Sequence, residues 1–223
     1  MNFANHSTIA LLAQILAGAA LLFSVAVFAW RLRIFNALPR PKDRSVAKGS
    51  PSHGILYAFT LGMAPWSKES TRLHAVAYLR GVAFHLGIFL TLALLVASPW
   101  IPDLPASWRL ILAVGCGLGA LFGLAGFLFR RVEHTLKKIS TPDDYAAVLF
   151  VSLFMAAAAL WLVVPASAPA FYLTSALMLV YATLSKIRHC IYFAFSRLFF
   201  GTYFGKRAVL PHGQQASSPR GAP

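Results

Sequence analysis

Acidic residues are scarce in this sequence. Only six of its 223 residues are Asp or Glu, and charged residues of both signs make up 12% of the chain, where a soluble domain has about 25%. Hydrophobic residues make up 58%, and the mean hydropathy is +0.67. This composition excludes an ordinary soluble domain. It also excludes a disordered chain, which needs few apolar residues.

Cysteine is scarce as well, because the chain has only Cys116 and Cys190. Two cysteines cannot form a disulfide framework, and each lies in or beside an apolar stretch, where it is interpreted as a small hydrophobic residue. None of the six acids lies deep in such a stretch, and the sequence shows no internal repeat. Both absences argue against a transporter, which usually shows repeats or broken helices and carries acids on its solute path.

What the sequence does have is long apolar stretches. A helix needs about 20 apolar residues to cross a hydrocarbon core of roughly 30 Å. Five stretches qualify, at 8–30, 74–97, 109–129, 145–164 and from 168 to 184. The first is followed by Arg31 and Arg33 and has no basic segment before it, which argues against a cleaved signal peptide. We therefore predict an all-α integral membrane bundle of five transmembrane helices over residues 1–211, and a disordered C-terminal tail over 212–223.

The basic residues are distributed unevenly about these spans. All but two of the 20 Lys and Arg residues fall on one side, in the segments 31–73 and 130–138 and at the end of the chain. Only Arg109 falls on the other side, and Arg80 lies inside the second span. The positive-inside rule then places the N-terminus outside and the C-terminus in the cytoplasm. Topology accounts for the net charge of +14, so no nucleic-acid partner is needed.

Two of the seven histidines lie in the second span. His74 and His85 are eleven residues apart, which is three helical turns plus about 20°, so they point the same way. Tyr78 and Gly81 lie between them, and the glycine allows a flat ring or a neighbouring helix to approach. Because imidazole is a good iron ligand, two histidines in line could serve two haems stacked across the bilayer.

A haem held by two imidazoles needs a second histidine from another helix. His189 is available, because it should lie about 20 residues into the fifth helix, at a depth similar to that of His74. Arg80 and Arg188 lie near these histidines in sequence and could meet the haem propionates. We therefore predict one b haem between His74 and His189.

Each histidine also has a simpler interpretation. His74 could cap a span at the interface, and His189 could belong to a basic helix end. His85 could be a core histidine hydrogen-bonded to a hydroxyl such as that of Thr91 or Ser175. The remaining histidines lie in polar or interfacial segments and are interpreted as exposed: His6, His53, His134 and His212.

Beyond the histidines, several segments carry a family resemblance, at 62–70, 84–89, 139–145, 188–190 and 200–207. With His74 and Tyr78, they make the chain up to Pro211 resemble the gamma subunit of respiratory nitrate reductase. The resemblance is closer to the cytochromes b of sulfite-reduction-associated and heterodisulfide-reductase-like complexes. It implies a di-haem cytochrome b in a bacterial or archaeal cytoplasmic membrane, linked to quinol and placed beside an iron–sulfur protein.

By that resemblance, His74 and His189 would ligate the inner haem and His85 the outer haem. The family pattern expects a histidine opposite His85, but Phe171 stands there. Met178 precedes His189 by eleven residues, and a thioether can be an axial ligand, although Met178 could equally be core filler. A second haem is favoured, with Met178 or another non-histidine group opposite. A five-coordinate haem, or no outer haem with His85 hydrogen-bonded or facing quinone, stays open.

The predicted function is electron transfer between membrane quinone and a cytoplasmic iron–sulfur or catalytic subunit. The chain would not complete a substrate reaction alone. A quinone site is predicted at Asp103, Trp108 and Arg109, which could instead be an ordinary interfacial belt. The basic loops and an aromatic run over 192–204 would form the docking surface, unless that run is an interfacial helix. The competing hypothesis is a haem-free membrane anchor or small transporter.

Overall fold

The computed structural model describes residues 8–39, 43–67 and 69–210, without the side chain of Ser70. It is 85% helical, and its described residues contain no strand. The predicted all-α class is therefore confirmed. The predicted tail over 212–223 lies outside the described residues, as do His6 and His212.

Nine α-helices follow one another in the described residues, joined by short 3-10 turns and loops. They are α1 (Thr8–Ala37), α2 (Pro51–Phe59), α3 (Glu69–Leu73), α4 (Ala75–Ala97), α5 (Ala106–Val132), α6 (His134–Ile139), α7 (Pro142–Val163), α8 (Ala168–Leu184) and α9 (His189–Lys206). Five segments are long and apolar enough to cross a membrane: α1, α4, α5, α7 and residues Pro165–Leu184, which contain α8. The five predicted spans are confirmed, and the chain is a multi-pass membrane protein.

The start of α7 shows how local chemistry sets a helix boundary. The side chain of Asp144 accepts hydrogen bonds from the backbone N–H of Thr141, at 2.7 Å, and from its hydroxyl, at 2.8 Å. Pro142 occupies the first helical position, where its missing N–H costs nothing. The acids near the positive end of the helix dipole add to this stabilisation.

The described chain divides into two compact units. The first unit contains residues up to Arg31 together with Val76–Arg188, and the second contains Leu32–Ala75 together with the chain from His189 onward. The first unit holds most of the apolar helices, and the second holds α2, α3 and α9.

Small residues allow the helices of the first unit to pack closely. A Cβ built on Gly87 of α4 would lie 2.8 Å from the Cα of Gly119 on α5 and 2.9 Å from the sulfur of Met155 on α7. A row of alanines and Ser24 buries one face of α1, and the Ser24 hydroxyl donates to the carbonyl of Leu179 at 2.9 Å. Such contacts replace the hydrophobic driving force that helices lack in lipid.

The second unit is organised by glycines where α2 meets α9. A Cβ on Gly54 would overlap the carbonyl oxygen of Gly201 and would lie 2.6 Å from the Cα of Gly205. The backbone N–H groups of Lys48 and Gly49 donate to the carbonyl of Lys206 at 2.8 and 3.0 Å. The segment before α2 thereby covers a carbonyl that the end of α9 leaves without an intrahelical partner.

We predict that Gly54→Ala destabilises the second unit by about 1–3 kcal/mol, because the added methyl group meets backbone atoms that cannot rotate away. Thermal unfolding in detergent, followed by circular dichroism, measures the change. Gly117→Ala in α5 is the matched control, since no described atom lies within 4 Å of its added Cβ. Alanine there should be neutral or should stabilise the helix by up to about 1 kcal/mol. Equal unfolding midpoints for the two variants would contradict the packing argument.

Candidate functional site

His74 lies in the turn between α3 and α4, one residue before α4 begins. Its side chain is exposed. The prediction that His74 opens the second span is therefore confirmed to within one residue. The turn places an imidazole at the end of a transmembrane helix, in the second unit of the chain.

The prediction that His189 lies within the fifth transmembrane helix is wrong. Helix α8 ends at Leu184, a 3-10 turn follows over Lys186–Arg188, and His189 is the first residue of α9. The physical cause is a set of side chains that compete for the backbone. The Ser185 hydroxyl accepts from the N–H of Ile187 at 3.2 Å, and the Asp143 carboxylate accepts from the N–H of Lys186 at 2.8 Å.

This break also changes the argument for Met178. Because the helix stops at Leu184, the eleven-residue spacing no longer puts Met178 and His189 on one helical face. Met178 is 4% exposed and belongs to the hydrophobic core of the first unit. The structure therefore favours the alternative interpretation of Met178 as a core residue.

His189 stands at one end of a groove along α9, which we call the α9 groove. It is open, has a volume of about 380 Å³, and is lined by side chains that recur every three or four residues: His189, Tyr192, Phe193, Ser196, Arg197 and Phe200. The guanidinium carbon of Arg197 lies 5.4 Å from the centre of the Phe193 ring. The volume of the α9 groove falls within the range of about 300–1,000 Å³ that is typical of ligand pockets.

Aromatic contacts within the second unit hold α9 in place. Phe35, near the end of α1, packs against Tyr192 and Phe195, with ring centres 5.6 and 4.9 Å away. Phe59 of α2 meets Phe193 edge-on at 6.3 Å. The rings that line the α9 groove are thus positioned by two other segments of the same unit.

The second unit contains residues of the types that bind a b haem. His189 supplies an imidazole, the ring-lined face supplies apolar contact for a flat macrocycle, and Arg197 supplies a cation for a carboxylate. His74 is a second exposed imidazole of the same unit. Arg197 was not among the predicted site residues, although its position eight residues after His189 on a helix could have indicated it.

His85 lies mid-span in the first unit with an exposed side chain. Its Nδ1 is 2.7 Å from the carbonyl oxygen of Gly81, so this nitrogen is the donor, and in a neutral ring Nε2 carries the lone pair. The alternative partners, Thr91 and Ser175, donate instead to carbonyls of their own helices, at 2.8 and 2.6 Å. The alternative interpretation of His85 as a core histidine bonded to one of these hydroxyls is therefore not supported, because His85 is exposed and its ring bonds to Gly81. No described atom lies within 4 Å of a Cβ built on Gly81, so the face beside His85 is open.

The predicted propionate partners differ in their surroundings. Arg80 is half-buried, and its guanidinium lies 4.7 Å from the centre of the Phe129 ring. Arg188 is exposed in the 3-10 turn before α9. Arg80 therefore has an aromatic contact within the first unit, while Arg188 presents its charge at the surface.

The predicted quinone residues lie in the connection between α4 and α5 and in the first turns of α5. Asp103 ends a 3-10 turn and is exposed, Trp108 is 58% exposed, and Arg109 is half-buried. Their connection begins about 18 Å along α4 from His85.

Within the described residues, no three His, Cys, Asp or Glu side chains are grouped so that they could hold a metal ion. A haem iron with two axial imidazoles does not need such a group. The chain matches no known family model, no curated protein and no solved structure. The interpretation of the site therefore depends on its own residues.

One polar cluster of the second unit was not predicted from the sequence. The hydroxyl and N–H of Ser45 donate to Asp43 at 2.7 and 3.0 Å. Arg207 and Lys206 form ion pairs with the same carboxylate at 2.9 and 3.3 Å. The Ser45 hydrogen bonds, and then the two cations, hold the pKa of Asp43 well below its ordinary value. This cluster ties the end of α9 to the segment before α2.

We predict that Asp43→Asn lowers the unfolding temperature at pH 7 and not at low pH. Folding lowers the pKa of this carboxyl from its unfolded value of about 3.9. Its ionised form therefore stabilises the folded protein fully above that unfolded pKa. The stabilisation is lost as the pH falls towards the folded pKa. The difference in unfolding temperature between the wild type and the variant should therefore begin to shrink below about pH 4, and it should close only as the pH approaches the depressed folded pKa of Asp43. High salt should also reduce this difference in unfolding temperature, because the ion pairs of Asp43 are exposed to solvent.

Thermal unfolding in detergent as a function of pH and salt measures this difference. Glu133→Gln is the control, because its exposed carboxylate forms no ion pair among the described residues. A difference in unfolding temperature between wild type and Asp43→Asn that stays constant from pH 7 to about pH 2 would contradict the ionic role of Asp43.

Proposed function

We propose that the protein is a b-haem membrane subunit that passes electrons between membrane quinone and a cytoplasmic iron–sulfur or catalytic subunit. The observation that carries this proposal is the α9 groove, in which His189 stands beside aromatic rings and Arg197, in the unit that also contains His74. The family resemblance of the sequence supports the same function. By itself the chain would not complete a substrate reaction.

In this proposal His74 and His189 hold the haem iron through their imidazole nitrogens. The rings of Tyr192, Phe193 and Phe200 would offer the macrocycle an apolar face. Arg197 would neutralise a propionate, which makes binding of an anionic group favourable near a membrane surface. When bound, the haem supplies a centre that gains and loses one electron reversibly.

A second haem at His85 is part of the proposal. The bond from Nδ1 to the Gly81 carbonyl resembles the arrangement by which proteins orient metal-binding histidines. It leaves Nε2 for the iron and fixes the plane of the imidazole. Met178 packs in the core of the first unit, so the proposal assigns the His85 imidazole, and not the thioether, to this haem.

The proposed topology places the N-terminus outside and the basic segments in the cytoplasm of a bacterial or archaeal cell. The positive-inside rule supports this orientation. The basic segments and the aromatic surface of α9 would then face the soluble partner. Quinone would enter from the bilayer at Asp103, Trp108 and Arg109, whose mixed aromatic and polar character suits a headgroup-level site.

We predict that His74→Ala and His189→Ala each remove one b-type haem from the purified chain. A reduced-minus-oxidised absorbance spectrum with haem quantification measures the loss. His53→Ala is the control, because His53 is also an exposed histidine of the second unit and should keep the full signal. If both single variants retain the wild-type haem content, the proposed ligands are wrong. If the wild-type chain has no b-type signal, a haem-free anchor or transporter is favoured.

We predict two haems per chain in the wild type and one in His85→Ala. Met178→Leu should keep both haems, because the thioether is packed in the core, and its spectrum should match that of the wild type. A stoichiometry of one that His85→Ala leaves unchanged would remove the second haem from the proposal. Loss of a haem in Met178→Leu would restore the methionine as a ligand.

A further inference from the structure

A dense group of cations lies where α5 ends and α6 begins, outside the site described above. We call it the α6 rim, and it comprises residues 130–139. Four of its cationic or titratable side chains are exposed: Arg131, His134, Lys137 and Lys138. Because α5 and α7 on either side are transmembrane helices, the α6 rim lies at a membrane surface.

The α6 rim is an ordered structure. The guanidinium of Arg130 donates to the Ser140 hydroxyl at 3.1 Å, and that hydroxyl donates to the Leu136 carbonyl at 2.7 Å. The Tyr145 hydroxyl donates to the carbonyl of Arg130 at 3.0 Å. Both ends of the segment are therefore tied down, so the backbone that carries its exposed cations is held in one arrangement before any ligand arrives. Such preorganisation reduces the entropic cost of binding.

The positive charge of the α6 rim is not balanced by acids of the described chain. The cations of the ion pairs in the described residues are Lys186, Lys206 and Arg207, none of which belongs to the α6 rim. The two acids at the start of α7 are already engaged, because Asp144 pairs with Lys186 and Asp143 accepts from the Tyr181 hydroxyl. Glu133 is the one acid within the α6 rim itself. The segment therefore carries a net positive charge, which attracts external anions.

The apolar residues of the α6 rim point to the kind of anion. Val132 is 83% exposed and Ile139 is 69% exposed. Exposed apolar side chains between cations suit a surface with charged headgroups above and acyl chains below. A soluble anion would neutralise the cations and leave Val132 and Ile139 uncovered.

We propose that the α6 rim binds the phosphodiester headgroup of an anionic phospholipid, with Lys137 and Lys138 contacting the phosphate and Ile139 packing against the upper acyl chain. Clusters of four or more cations directly beside a transmembrane helix attract anionic lipids. This binding does not depend on the proposed haem or on electron transfer.

Native mass spectrometry of the full chain in detergent, titrated with phosphatidylglycerol or phosphatidylcholine, tests the proposal. The wild type should bind phosphatidylglycerol about tenfold more tightly than phosphatidylcholine. The double variant Lys137→Gln/Lys138→Gln should lose about tenfold in phosphatidylglycerol affinity and none in phosphatidylcholine affinity. The matched control is Arg44→Gln/Lys48→Gln, which removes the same charge from exposed positions of the second unit and should bind like the wild type.

Three results would overturn the α6 rim as a lipid site. The first is an unchanged phosphatidylglycerol affinity in Lys137→Gln/Lys138→Gln. The second is an equal loss in the control variant, which would mean that net charge alone attracts the lipid. The third is displacement of phosphatidylglycerol by inorganic phosphate at a comparable concentration, which would mean a site for a soluble anion. For the wild type, we also expect the preference for phosphatidylglycerol over phosphatidylcholine to weaken as the salt concentration is raised.

Discussion

Backbone hydrogen bonding without water is the constraint on which this structure depends. In a bilayer each N–H and C=O group must find a partner within the protein, and an α-helix provides one for almost all of them. The groups at the helix ends remain, and here they are covered by side chains and by neighbouring segments. Asp144 covers the start of α7, the Lys186 N–H finds Asp143, and the last carbonyl of α9 accepts from Lys48 and Gly49.

The same end contacts decide where the proposed haem ligand lies. Asp143 and Ser185 capture the backbone just after α8, so the chain leaves the helical path and restarts at His189. A continuous helix would have placed His189 in the fifth span, in the same unit as Met178. The break assigns His189 to the unit that contains His74, and Met178 to the buried core of the other.

Glycine has two opposite roles in this chain, and composition does not distinguish them. Gly54, Gly201 and Gly205 allow two backbones to touch, so a methyl group there would meet atoms that cannot move. Gly81 and Gly117 face open space in the described structure. At Gly81 that open face lies one turn from His85, whose ring is held by the Gly81 carbonyl. Close packing and an open approach thus depend on the neighbouring helix and not on the residue itself.

The sequence by itself determined the five spans, because apolar length is a local property that a bilayer converts directly into a helix. It also determined where α4 begins, to within one residue of His74. The start of α7 is likewise local, because Thr141, Pro142 and Asp144 lie within one turn. Tertiary structure alone decided the break in the helix before His189, the Asp43 cluster and the packing of the α9 rings against Phe35 and Phe59. Each of these joins residues far apart in the chain, such as Asp143 with Lys186 or Asp43 with Arg207. Hydropathy and helical periodicity describe neighbours along one helix, so they carry no information about which distant side chain captures a helix end.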